Sequence, residues 1–570
     1  MSAPVPSPAP ARGRWTLASV PTWLVAAIVG GLGLILTLHQ LGSRPLVDFD
    51  EALNAVIVHH MVATGNWLVP VFDATTRFRR PPLYFWLAGL AVLISHQSSA
   101  WAFRLPSTVA GVLLATGMAV HLRRRLQWSP AAAGLAGICL LTMPYFLLLS
   151  RQAVLALVAA ALAAAAILAG RLWTRGQGRW WAPLVTGGAL GLLVLDYSAM
   201  VVLPLGVIVV DAALRGRRPA WSWQTVLAAG AVALLLGLSW PVLMSLRYGG
   251  QFWGEYFFQN VVSRVTTNVE TGGRPFYYYP PLLAAGMGAW APLAALAVVR
   301  SWPRVRHNAD SVERLAVIWV VVGLVGFSLS TTKLPWYIGP VYPGLALLVV
   351  AYLRRLPAEL GFTSCRDVEP GGARALALVG LAALVGIGLG LWPVPRPAWT
   401  LVVCAGVGVA AIMVEVSGWG GGARATGVMA SRRRTFVAAS LAGLMLVALG
   451  RALIFPLGPG APGFAQNLQP EPAAVPEAAI ARLAARDPQV PLGLLMSSTP
   501  TLIFYSDRTY VATYASVGAA AKARGSWLIT DSGQLAALRS AAGGIRLLGR
   551  RGDLVLVALP GAPGSASLKG

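Results

Sequence analysis

Apolar runs of about 17–22 residues recur along this chain with almost no charge inside them, and each is long enough to cross roughly 30 Å of hydrocarbon as a helix. Thirteen such runs can be placed, at 21–38, 104–121, 130–149, 153–170, 182–195, 198–214, 224–246, 280–299, 314–330, 335–353, 373–393, 398–417 and 435–456. Only 11% of the 570 residues are charged and 56% are hydrophobic. A soluble chain keeps about a quarter of its residues charged, so the deficit predicts a polytopic α-helical membrane protein.

The formal net charge of +25 would point to nucleic acid in a soluble protein. Here the arginines fall in short loops between spans, which excludes that partner. With a cytoplasmic N-terminal tail at 1–20, the inner loops carry 21 arginines, among them Arg123–Arg125, Arg171, Arg215 and Arg432–Arg434. The short outer loops carry three cations: Arg151, Lys333 and Arg396. That asymmetry sets the expected topology. The first apolar run has no small-residue cleavage site and reads as an uncleaved span.

Two loops (39–103 and 247–279) and the tail then lie outside. The transmembrane domain is expected over 21–456 and a periplasmic α/β domain over 457–570. In the tail a Pro/Gly linker leads to a helix at Glu477–Arg486 and β-like runs at Leu492–Met496, Leu502–Phe504, Trp527–Ile529 and Leu554–Val557. No phosphate-binding fingerprint occurs there. The scattered Cys139, Cys365 and Cys404 match no disulfide or metal spacing, and neither a metal nor a cofactor is expected.

Outer-side acids of the membrane part are few: Asp48, Asp50, Glu51, Asp73, Asp196, Glu255 and Glu270. Carboxylates beside apolar spans are costly and point to function. Three crowd into Asp48-Phe49-Asp50-Glu51, where Asp48 or Asp50 also suits the N-cap of a helix through Ala52–Ala63. A capped helix start is equally a rigid mount for a catalytic carboxylate. Downstream, Arg79-Arg80-Pro81-Pro82-Leu83-Tyr84-Phe85-Trp86 joins arginine forks, which hold phosphate, to interfacial aromatics. Alone it reads equally as an aromatic belt with snorkelling arginines. Arg264, Arg274 with Phe276-Tyr277-Tyr278-Tyr279, and Lys333-Leu334-Pro335-Trp336-Tyr337 bring cations and aromatics to the same face. That convergence suits an anionic lipid headgroup.

These residues resemble one family. Asp50-Glu51-Ala52, Gly65-Asn66-Trp67-Leu68-Val69-Pro70, Pro81-Pro82-Leu83-Tyr84-Phe85-Trp86 and Arg104-Leu105-Pro106-Ser107 occur in the order and spacing of the GT-C type glycosyltransferases related to lipid A aminoarabinose transferase and the protein O-mannosyltransferases. Trp240-Pro241, Arg264 and Ser330-Thr331-Thr332-Lys333-Leu334-Pro335-Trp336-Tyr337 extend the resemblance, which covers about 20–355. It implies a multi-pass bacterial inner-membrane enzyme without a cofactor. Such an enzyme moves a sugar from a polyprenyl-phosphate carrier to a lipid, glycan or protein acceptor at the outer face. It implies Asp50 as the catalytic carboxylate with Glu51 beside it, and Arg80, Lys333 and Arg264 on the donor phosphate.

The chain departs from the family at three places. Arg151 is followed by Ala156 where an acid is usual, Asp196-Tyr197 replaces Lys-Gly, and Leu53-Asn54 replaces Arg-Tyr. Asp196 is a candidate additional acid standing in for the one absent at Ala156; the alternative is a turn residue in contact with outer water. A non-catalytic relative that binds or presents a lipid-linked glycan is the alternative function, favoured by Ala156 and opposed by Asp50-Glu51. A transporter is expected to show inverted repeats or charged, broken helices at mid-membrane, and neither stands out.

Overall fold

The computed structural model describes residues 20–43, 45–46, 50–73, 75–178, 180–216, 219–267, 274–359, 471–495, 500–506 and 511–563. Asp48, Glu270, the expected spans at 373–393, 398–417 and 435–456, and most of the linker lie outside the described residues.

The first apolar run forms α1 (Thr22–Leu38). The segment expected as an outer loop is mostly helix: α2 (Asp50–Thr64), a small hairpin of β1 (Val71–Phe72) and β2 (Thr75–Thr76), then α3 (Leu83–Ser95). α4 (Ala100–Arg125) ends in three arginines that complement its C-terminal dipole. The expected span 130–149 is two helices, α5 (Pro130–Leu141) and α6 (Pro144–Ser150), set at 71°. Pro144 starts the second helix at a position where its missing N–H costs little.

α7 (Ala156–Thr174) and α8 (Trp181–Tyr197) follow, and the helix breaks at Tyr197 (φ −149°, ψ 82°) before α9 (Val202–Ala213). The 33-residue run Trp181–Ala213 is a hairpin. Its two ends lie beside the end of α7, where Arg215 donates to the Thr174 carbonyl at 3.0 Å, while Tyr197 and Met200 meet Ala156 at the start of α7.

α10 (Trp223–Gly237) bends by 45° into α11 (Ser239–Trp253), where Pro241 has no N–H for the preceding turn. A π-helical stretch (Gly254–Val262) and α12 (Ser263–Thr266) continue it. α13 (Tyr279–Met287) and α14 (Ala291–His307) form one run broken at Gly288, which takes φ 57°. α15 (Val312–Leu329), a 3₁₀ segment (Pro335–Val341) and α16 (Tyr342–Glu359) close this part. Among the described residues, six helical runs are long and apolar enough to cross a membrane, or up to eight if each bent pair is one span.

Buried indoles find carbonyl or hydroxyl partners, as an apolar surround requires. Trp240 donates to the Leu68 carbonyl (2.7 Å), Trp290 to Thr142 (3.0 Å) and Trp319 to the Pro340 carbonyl (2.9 Å). The arginine-rich end of the bundle is knitted by ion pairs: Arg171 and Arg215 to Asp211, and Arg355 to Glu313.

The C-terminal part is a five-stranded mixed sheet, order β4-β3-β5-β7-β6, with β3 (Leu492–Leu495), β4 (Ala512–Tyr514), β5 (Trp527–Asp531), β6 (Arg546–Arg551) and β7 (Leu554–Ala558). β3 lies parallel to β4 and β5, and β7 pairs antiparallel with β5 and β6. α17 (Glu471–Ala484) and α18 (Pro500–Tyr505) cover one face through Ile480, Leu502 and Ile503. α19 (Val517–Ala521) and α20 (Leu535–Ala542) cover the other through Ala520 and Leu538. Burial on both faces explains the continuous apolar run of β5. Leu502–Phe504, expected as a strand, is helix α18: Pro500 supplies its first turn, and so short an apolar run carries no periodicity.

Candidate active site

Asp50 is the first residue of α2, and Asn54 lies one turn further on the same helical face. Both bind Arg80 from the turn before α3: the guanidinium pairs with the Asp50 carboxylate and donates from Nη1 to Asn54 Oδ1 at 2.8 Å. Asn54 in turn donates from Nδ2 to the Ala153 carbonyl at 2.8 Å. Asn54 entered the sequence reading only as a departure from the family; here it links the arginine to the segment before α7.

Asp50 and Arg80 line one small cavity. Val154, Leu155, Ala156, Tyr197, Trp336 and Pro340 complete most of its wall. The chamber is therefore apolar, with one carboxylate and one guanidinium at one side. Trp336 and Pro340 come from the 3₁₀ segment after Lys333.

Glu51 faces elsewhere. One residue along a helix is a turn of about 100°, and it carries Glu51 into the protein, where it is fully buried. Arg104 of α4 grips it with two bonds, Nε to Oε1 at 2.9 Å and Nη2 to Oε2 at 2.8 Å. The Ala153 N–H adds a third at 2.6 Å. Arg104 also donates to the carbonyls of Leu41 (2.8 Å) and Pro45 (3.0 Å) on the approach to α2. Ser107 and Thr108 bond the carbonyls of Val154 and Ser150, both at 2.8 Å. The strand of chain that lines the cavity is thus fixed from three sides.

The other expected site residues divide. Arg79 turns away from Arg80, to Gln259 (3.1 Å) and Glu255 (3.7 Å). Lys333 is buried, and its ammonium donates to the Ser330 carbonyl at 2.6 Å. Thr332 beside it bonds the Thr267 carbonyl at 3.1 Å, tying this segment to the end of α12. The backbone of Arg264 belongs to α12, and its side chain lies outside the described residues.

Asp196 is completely buried in the last turn of α8, so the expected alternative of a turn residue in outer water does not hold. Neither carboxylate oxygen has a hydrogen-bond partner among the described residues. Its neighbour Tyr197 lines the cavity beside Ala156.

The motif tryptophans serve the scaffold. Trp86 donates to the Trp67 carbonyl at 2.6 Å, and Gly89 lies so close under the Trp67 ring that a Cβ there would come within 2.5 Å of it.

The helix layout is that of the GT-C type. ArnT from Cupriavidus metallidurans, solved bound to undecaprenyl phosphate, superposes with a TM-score of 0.67 at 20% identity, covering 96% of this chain and 99% of that one. Its apo form gives 0.64 at the same coverage. By sequence, residues 79–244 match the dolichyl-phosphate-mannose-protein mannosyltransferase family. The undecaprenyl phosphate-α-4-amino-4-deoxy-L-arabinose arabinosyl transferase of Enterobacter sp. (strain 638) is 29% identical over 335 residues, 57% of this chain and 58% of that one. Transferase 1 of the same name from Sodalis glossinidius (strain morsitans) is 30% identical over 366 residues, 63% of this chain and 64% of that one. The match thus spans about three-fifths of each relative's length. The resemblance read from the first-loop motifs holds: the chain is similar to the GT-C type polyprenyl-phosphate-sugar glycosyltransferases.

Proposed function

We propose that this protein is a membrane glycosyltransferase that moves a sugar from a polyprenyl-phosphate carrier to a lipid, glycan or protein acceptor. The observation that carries the reading is the Asp50–Arg80 pair at the edge of an apolar chamber. In the reaction the acceptor oxygen attacks the anomeric carbon, Asp50 takes its proton, and the sugar–phosphate bond breaks. Arg80 holds the charge that grows on the departing polyprenyl phosphate. Such charge stabilisation is strong where water is scarce, and the apolar wall suits the first isoprene units of the carrier. Lys333 and Arg264 are assigned to the same phosphate, and Glu51 acts through the helix start it anchors.

The site lies at the end of the bundle opposite the Arg171–Arg215–Asp211 cluster. With the positive-inside rule this supports a periplasmic position for the chamber and the C-terminal domain. The test is turnover of undecaprenyl-phosphate aminoarabinose, and of other polyprenyl-phosphate sugars, by the purified protein with lipid acceptors, read by mass spectrometry. Ala156 supports a second reading, a relative that binds the carrier without transfer; it predicts binding with no product from any donor.

Arg80→Ala and Lys333→Ala should each weaken undecaprenyl phosphate binding about tenfold or more, the scale of a charge-assisted bond. Arg80→Lys should keep part of it, since a point charge still attracts phosphate. A titration with unchanged affinity in both alanine variants returns these cations to a structural role.

Asp196 is assigned as the acid that replaces the one absent at Ala156. A buried carboxylate without a partner is costly to keep, and its neighbour Tyr197 shares the cavity wall with Ala156. Asp196→Asn should lower turnover at least tenfold, and Asp196→Ala combined with Ala156→Asp should regain part of the loss. Wild-type turnover in Asp196→Asn ends the assignment.

A further inference from the structure

The helix that carries Asp50 is gripped from outside the bundle by the C-terminal domain. Leu46, buried on the approach to α2, donates its backbone N–H to Tyr505 Oη at 2.8 Å. Phe504 sets its ring edge-on to Phe103 at 5.3 Å and to His59 of α2 at 6.4 Å. Val56, midway along α2, is buried in the same cluster as Ile480, Leu502 and Ile503 of the C-terminal domain. Arg482 of α17 lies over the Tyr505 ring, 4.7 Å from its centre, and fixes it from behind. Arg104 of the bundle binds the carbonyls of Leu41 and Pro45, so the stretch before Asp50 is held from the bundle as well as from the C-terminal domain.

We propose that Tyr505 is a positioning residue for Asp50, which makes the C-terminal domain part of the active-site scaffold. The inference rests on the reading of Asp50 as the base. Leu46 lies four positions before Asp50, so a shift of that tether moves the first turn of α2, and misplacement by about 1 Å costs on the order of 10²-fold in rate. Burial raises the Tyr505 phenol above its ordinary range, so it stays a neutral hydroxyl whose oxygen accepts the Leu46 bond. The donor phosphate is assigned to Arg80, on a different element, so binding and rate should separate.

Full-length Tyr505→Phe is compared with wild type for turnover, undecaprenyl phosphate affinity and hydrogen exchange. The expected result is a kcat about tenfold lower, the scale of one lost hydrogen bond, with donor-phosphate affinity unchanged. Amide exchange over residues 50–54 should rise by a similar factor, with no rise in α7 or α15. Arg482→Met, which removes only the cation over the ring, should shift the same quantities less. If Tyr505→Phe does not fold, Arg482→Met carries the test with the same readouts. Unchanged kcat with unchanged exchange at 50–54 overturns the inference, as does an equal loss in affinity and rate. Faster exchange in a protein whose Asp50→Asn variant still turns over overturns the base reading and leaves the tether standing.

Discussion

Asp50→Asn should abolish transfer while it tightens the hold on the donor phosphate. The amide keeps the shape of the carboxylate and removes its proton affinity, and a positioned base contributes roughly 10²–10⁴-fold to rate. The second effect comes from the geometry of Arg80, whose guanidinium is shared between Asp50 and Asn54 in the free site. A phosphate entering the chamber competes with the carboxylate for that guanidinium and is repelled by its charge. Removing the charge frees the cation, so affinity for undecaprenyl phosphate should rise several-fold, and the gain should vanish when Arg80→Ala is added. Turnover above about a tenth of wild type would remove Asp50 from the role of base. Unchanged affinity in Asp50→Asn would remove the shared guanidinium.

The apolar helices among the described residues were legible because a bilayer-spanning length leaves a plain trace in the sequence. Asp50, Arg80 and Trp336 were legible as motif positions, and they meet in one cavity. The division of labour within each motif was not. Asp50-Glu51 reads as a pair of acids, yet helix rotation sends one to the cavity and the other to Arg104. Arg79-Arg80 reads as a pair of cations, yet only Arg80 turns inward. The loop expected at 39–103 holds a helix buried along Ala52–Val58. Its partners, the C-terminal domain and α4, are far away in sequence, and no local pattern announces them. Asp196 read as either an additional acid or a turn in outer water, because a break between apolar runs looks the same whether water or protein covers it. Leu502–Phe504 failed as a strand for a related reason, since its dock against Phe103 and His59 is a tertiary fact.

Glu51 and Arg104 should govern folding where Asp50 governs chemistry, and substitutions at the neighbouring acids should therefore diverge. Both partners are nearly or wholly sealed, with side-chain exposures of 0% for Glu51 and 6% for Arg104. Cutting one member from a buried pair leaves an uncompensated charge and costs about 3–5 kcal/mol, a large share of the stability of most domains. Glu51→Ala strands the Arg104 guanidinium and the Ala153 N–H together, and should yield little protein that survives detergent extraction. Glu51→Gln keeps an acceptor for Ala153 and one bond from Arg104, so it should fold with a clearly lowered melting temperature and retain measurable turnover. Arg104→Met leaves Glu51 charged and buried, and frees the carbonyls of Leu41 and Pro45 as well. It should be as damaging as Glu51→Ala. The double variant Glu51→Gln with Arg104→Met removes both charges, and should recover part of the stability lost in Arg104→Met alone. Thermal melts of the purified variants beside Asp50→Asn decide the matter. If Asp50→Asn melts with Glu51→Ala, or if Glu51→Gln folds as wild type yet loses all turnover, Glu51 belongs to the chemistry and the anchor assignment fails.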